Sequence, residues 1–205
     1  MFRSVFNAEN PFFVPFGKFV DVVCLSLLWV VCSLPIVTLG PATAALYDSV
    51  ARCLRGGQNG PYARFFRTFK GNLKVGVPAG LLVALSAWGI YQLHHFLYLK
   101  AVGRGLWYGA YFFFWVVALV AIGMLAYLLP TLSRFELSWS KLLGNCWRLA
   151  MGHLPSTVVL GLLLAAAFVI FYSFPLIAIF CLPCLTALAA SFLLERIFKP
   201  FMGES

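Results

Sequence analysis

Apolar residues run along this chain in long stretches, separated by short segments where apolar and basic positions recur at helical spacing. A helix needs about 20 mostly apolar residues to cross the hydrocarbon core of a bilayer. The first candidate is Phe19 to Val37, with Asp21 near its start and Pro35 near its end. The second is Val75 to Leu99, uncharged between Lys74 and Lys100. The third is Leu106 to Leu129, where Pro130 predicts the end of the helix. The uncharged stretch from Leu149 to Leu194 is too long for one crossing. Ser173-Phe174-Pro175 predicts a turn within it, because a residue before proline is pushed out of the α region. This divides the stretch into spans at 155–172 and 175–194, and Pro183 predicts a kink in the latter. The expected fold class is all-α: a polytopic membrane helix bundle, one transmembrane domain over 1–205, with about five transmembrane helices. Four spans is the alternative, if one of the last two is re-entrant.

Three further segments are helical by period but too polar to cross. In 41–55, Ala42, Leu46, Val50, Cys53 and Leu54 form one face, while Asp48, Arg52 and Arg55 face elsewhere. Gly40-Pro41 suits its start and Gly56-Gly57 its stop. In 61–74, Tyr62, Phe65, Phe66, Phe69 and Leu73 oppose Arg64, Arg67, Lys70 and Lys74. In 138–151, Trp139, Leu142, Leu143, Cys146, Trp147 and Ala150 oppose Ser140, Lys141, Asn145 and Arg148. All three predict cytoplasmic amphipathic helices lying in the headgroup plane. The second and third each lead into a span that begins near a proline, Pro78 or Pro155, an architectural echo with few identical residues.

Composition agrees with a bilayer as solvent. Of 205 residues, 62% are hydrophobic and 10% charged, where a soluble domain is about a quarter charged. The net charge is +9, but the basic residues lie between apolar runs, which indicates membrane orientation rather than nucleic-acid binding. With the amino terminus outside, the inner segments hold eleven Lys/Arg and the outer ones four: Arg3, Lys18, Lys100 and Arg104. The expected arrangement is therefore N-terminus out and C-terminus cytoplasmic. The opening residues contain Glu9 and no compact apolar core, so no cleavable signal is expected.

Candidate chemistry is sparse. Cys181-Leu-Pro-Cys184 has redox spacing without a βαβ context, and the six cysteines are read as packing residues. Asp21 is expected to cap the first span or pair with Lys18 at the outer interface. His94-His95 and His153 are read as interfacial, and Glu136 as solvated. No catalytic residues, cofactor-binding residues or metal ligands can be assembled, and no cofactor and no enzymatic activity are expected. The candidate contacts for a partner or for lipid are Arg64, Arg67, Lys70, Lys74, Lys141 and Arg148. An independent small-solute channel or carrier is the alternative function. It would have to use Ser26, Ser33, Ser86, Gln92, Thr157, Ser173, Thr186 and Ser191. A membrane-embedded enzyme acting on a lipid-linked substrate is a third reading.

Three stretches carry a family resemblance. They are Asn10-Pro11-Phe12-Phe13, the run from Ser33 to Tyr47 (SLPIVTLGPATAALY), and the run from Phe65 to Lys74 (FFRTFKGNLK). Together they resemble the YesL family, small bacterial integral-membrane proteins of unknown function. The resemblance implies a plasma-membrane protein. Because such proteins are often encoded near sugar-uptake permeases, it also implies an accessory or regulatory role in carbohydrate uptake. The implied partners are membrane lipids and a sugar-transporter permease or nucleotide-binding subunit. The resemblance supplies no catalytic residues.

Overall fold

The structure is a computed structural model that describes residues 13–101, 105–135 and 139–202. Arg3, the Asn10-Pro11-Phe12 motif, Arg104, Glu136 and Ser138 lie outside the described residues. Eight α-helices are described: α1 (Phe13–Ser33), α2 (Leu39–Ser49), α3 (Pro61–Gly71), α4 (Leu73–Ala101), α5 (Gly105–Arg134), α6 (Trp139–Gly152), α7 (Leu154–Ser173) and α8 (Pro175–Met202). A 3-10 turn, Ile36–Thr38, precedes α2, and a π-helical turn, Val50–Leu54, extends it. No strand occurs among the described residues. The protein is an all-α bundle, as its pattern requires.

By length and composition, α4, α5, α7 and α8 can each cross a membrane, over Leu73–Lys100, Trp107–Arg134, Leu154–Ser173 and Ala178–Lys199. They expose Leu85, Phe112, Phe168 and Leu185 to the surroundings. In a bilayer this is the inexpensive side, because lipid tails are as apolar as the side chains. Neighbouring helices run α4–α5–α7–α8–α1 around the bundle, and α2 touches α1, α4, α5 and α8. The α5–α7 contact is close because Gly123 and Gly161 carry no side chain. A Cβ on Gly161 would come within 2.6 Å of the Leu119 carbonyl.

The predicted first span ends earlier than its apolar run. α1 stops at Ser33, and the chain turns through 34–38 before α2 begins. The Thr38 hydroxyl, 2.6 Å from the Cys32 carbonyl and 2.8 Å from that of Pro35, closes the end of α1. Trp29 Nε1 donates to Thr43 Oγ1 at 3.0 Å. At the other end of this hairpin, Tyr62 of α3 donates to Asp21 of α1 at 2.6 Å. Asp21 therefore shares an end of the bundle with α3. The expectation that put it on the opposite face, paired with Lys18, is corrected by this hydrogen bond.

The main correction concerns α2. It was expected on the membrane surface, but it is enclosed by the bundle. Ala44, Tyr47 and Ala51 belong to one core cluster with Tyr127, Leu142 and Phe198. Ala45, Leu46 and Val50 belong to a second with Leu25, Phe65 and Cys184. A helix that buries two opposite sides needs small residues where neighbouring backbones approach. Gly40 meets Gly76 and Gly80 of α4, and a Cβ on Gly40 would lie 2.7 Å from the Gly80 nitrogen. Gly76 and Gly80 form a small-xxx-small pair. Pro41 falls in the first turn of α2, where no intrahelical N–H is required. Gly57, at φ 72°, ends the segment in the left-handed conformation that glycine permits.

Two other boundaries shift, and both matter for the site. Pro130 does not end the third span, because α5 continues to Arg134. α8 continues through Pro183 and beyond Leu194 to Met202. These extensions bring Arg134 and Glu195 into the packed end of the bundle.

Candidate functional site

At the end of the bundle that holds α3, five charged side chains from α2, α3, α5, α8 and the π turn meet. Asp48 is 2% exposed and its two oxygens are fully engaged. Oδ1 lies 3.0 Å from Arg52 Nε and 3.4 Å from Arg134 Nη1. Oδ2 accepts from Arg64 Nε at 2.7 Å and from Thr68 Oγ1 at 2.8 Å. Arg134, whose side chain is 5% exposed, also donates through Nε (3.0 Å) and Nη2 (2.5 Å) to Glu195 Oε1. Tyr47 OH donates to the same oxygen at 3.2 Å, and the Arg134 guanidinium sits 5.8 Å from the Tyr47 ring centre. Arg55, just beyond the π turn, donates to the Ser191 carbonyl at 2.7 Å and lies over Phe192.

The physical consequence is a clasp. A buried charge is tolerated only when paired and hydrogen-bonded. Here three guanidinium groups are drawn to two carboxylates across four helices. Asp48 accepts hydrogen bonds from Arg64, Thr68 and Arg134, with Arg52 as a further ion-pair partner, and arginine does not deprotonate in proteins. The clasp thus holds α2 inside the bundle.

The six candidate contact residues divide. Arg64 is turned inward to Asp48 and Gln58. Arg67, Lys70 and Lys74 are exposed, as are Lys141 and Arg148 on α6. Among the described residues none of these five is in an ion pair. Phe66 and Trp147, both exposed, lie among them. Cations interleaved with exposed aromatics suit a headgroup region.

Beneath α2 lies a cavity of about 370 Å³, walled by α1, α2, α4, α5, α7 and α8. Leu39, Thr43, Leu46 and Tyr47, at helical spacing, form its α2 wall. A second cavity of about 490 Å³ opens between α5, α6 and α8 and is lined by Thr131, Asn145, Arg148 and His153 among others. Four of the eight polar span residues named for a solute path, Ser26, Thr157, Thr186 and Ser191, are bonded within the protein itself. Ser26 accepts from the Cys184 N–H, Thr157 bonds the Ala150 carbonyl and Ser191 bonds the Leu188 carbonyl.

The remaining sequence candidates stay apart. His94 sits 3.3 Å from Tyr111 OH in an aromatic cluster with Tyr98 and Trp115, and His95 is exposed. No group of three metal-ligating side chains occurs among the described residues. All six cysteines are free thiols. Burial pushes the Cys146 thiol up to about 11, away from the reactive range. Burial, with the Asp21 hydrogen bond adding to it, also raises the Tyr62 phenol, so Tyr62 stays a donor at neutral pH.

A family model described as "Protein of unknown function, DUF624" matches residues 22–92, which run from α1 through most of α4. This is the domain that YesL-type proteins carry. No curated protein and no solved structure matches the chain. The matched segment contains the α1–α2 hairpin, the Gly40–Gly80 crossing and Asp48, so the chain is similar to that family in the part that builds one side of the clasp.

Proposed function

We propose that the protein performs no chemistry of its own and works as an accessory component of a bacterial plasma-membrane assembly, with carbohydrate uptake the process to which the resemblance points. The observation that carries this reading is the exposed basic end. Arg67 and Lys70 lie exposed on the amphipathic helix α3, which Asp48 holds through Arg64 and Thr68, and Lys74 follows in the first turn of α4. A rigidly seated cationic helix suits contact with anionic headgroups, at about 1 kcal/mol per basic residue, and with an acidic surface of a permease or nucleotide-binding subunit.

The basic end is proposed to face the cytoplasm, with the carboxyl terminus there. The Asp21–Tyr62 bond supports an amino end on that same side, in place of the outward amino end expected from the charge count. α1 and α2 then form a re-entrant hairpin beside four crossings. Thirteen of the fifteen Lys/Arg fall on the inner side, a stronger bias than eleven.

A photoreactive amino acid at Arg67 or Lys70, irradiated in native membranes, tests the docking. The expected result is capture of a sugar-uptake permease or its nucleotide-binding subunit. Capture of lipid alone from both positions removes the protein partner from the proposal.

A further inference from the structure

We infer that the cavity beneath α2 is a binding site for a single acyl chain of a membrane lipid. Its polar side chains are few and already bonded within the protein. Trp29 Nε1 donates to Thr43 Oγ1, and Thr43 itself donates to the Leu39 carbonyl at 2.8 Å. Tyr47 OH is held by Glu195, and Thr186 Oγ1 bonds the Leu182 carbonyl at 2.9 Å. A water needs two to four polar partners to occupy a buried site, and the polar side chains of this wall are already bonded to one another or to backbone. A sugar or an ion would be left with unpaired polar groups. The remaining wall is aliphatic, and a void of about 370 Å³ forfeits the dispersion contacts of everything that lines it. That volume falls within the range of small-molecule sites.

The occupant follows from position. The walls are turns within the four crossing helices, Val83 to Ile90, Ile122 to Pro130, Leu160 to Leu164 and Pro183 to Ala190. Ala87 and Leu164 belong both to the cavity lining and to the exposed surface, so the space reaches the outside of the bundle at this depth. The solvent there is hydrocarbon. An acyl chain is the apolar solute present at the highest concentration, and it can enter sideways while its headgroup stays at the surface. The inference uses neither the partner nor the process proposed above.

The test uses purified protein in vesicles of phosphatidylcholine and phosphatidylglycerol, in which a fraction of the phosphatidylcholine carries a diazirine midway along one acyl chain. After irradiation, labelled peptides are mapped by mass spectrometry. Label is expected on wall residues such as Ile122 and Leu163, besides the outward-facing Phe112 and Tyr172. In Ala126→Phe and Ala187→Phe, which fill the space, wall labelling should fall several-fold while Phe112 and Tyr172 label as before. Ala87→Phe, at the exposed rim, serves if either inner variant fails to fold. Label confined to the outer surface, or wall labelling unchanged in the filled variants, overturns the inference.

Discussion

Replacing Arg134 with methionine should destabilise the protein more than any other single change at a charged position. Arg134 is nearly inaccessible and bonds both Asp48 and Glu195. Removing one partner of a buried ion pair costs about 3–5 kcal/mol, because the other charge stays buried without compensation. Asp48 keeps Arg52, Arg64 and Thr68, whereas Glu195 Oε1 keeps only Tyr47. The loss therefore falls mainly on α8. For a chain of this size the Tm in detergent should drop by about 10 °C. Arg134→Met combined with Glu195→Met should recover most of that, since a buried pair can be exchanged for apolar groups at little net cost. A double variant no more stable than the single one would show that Arg134 serves something other than this pair.

The second large effect is steric. In Gly40→Val a Cβ would lie 2.7 Å from the nitrogen and 2.9 Å from the Cα of Gly80, and the neighbour is backbone that cannot rotate away. Overpacking costs about 1–3 kcal/mol where side chains can yield. Here α2 and α4 must separate as rigid bodies, so the cost should reach or pass the upper end. Gly89→Val, on the same α4 with nothing within 4 Å, should be neutral. Thermal unfolding of both variants beside the parent separates the two cases. Equal Tm values would mean that the close crossing of α2 and α4 is not part of the fold.

The spans were legible because hydrocarbon imposes a length and a polarity that any reader of the chain can count. α4, α5, α7 and α8 lie where the apolar runs put them, and the turn at Phe174-Pro175 lies where proline chemistry puts it. The burial of α2 was misread for a physical reason. Its helical wheel has one aliphatic face and one face with Asp48, Arg52 and Arg55, which is the pattern of a surface helix. The signal pointing the other way was size. Gly40, Ala42, Ala44, Ala45, Ser49 and Ala51 are all small, and small residues permit contact on every side. The clasp had no local signature at all. Asp48 meets Arg134 across 86 positions, and Arg134 meets Glu195 across 61. Each charge taken alone looks like the polar end of a helix. Of the cations that the helical pattern groups together, Arg67, Lys70, Lys74, Lys141 and Arg148 are exposed and Arg64 is turned to Asp48.

The central claim is that α2 lies inside a membrane-embedded bundle, clasped at its basic end. Ala44 and Ala51 decide it most directly. A surface helix with Leu46 and Val50 in lipid would turn both alanines to water, whereas in the structure Ala44 is fully buried and Ala51 nearly so. Single cysteines at Ala44, Ala51, Lys18 and Arg67, each in a background whose native cysteines are alanine, can be treated with a membrane-impermeant maleimide in inverted membrane vesicles and in intact cells. The account expects Arg67→Cys and Lys18→Cys to label in the inverted vesicles only, and Ala44→Cys and Ala51→Cys to stay unlabelled in both. Labelling of Ala44→Cys and Ala51→Cys at the rate of Arg67→Cys would place α2 on the surface and contradict the account.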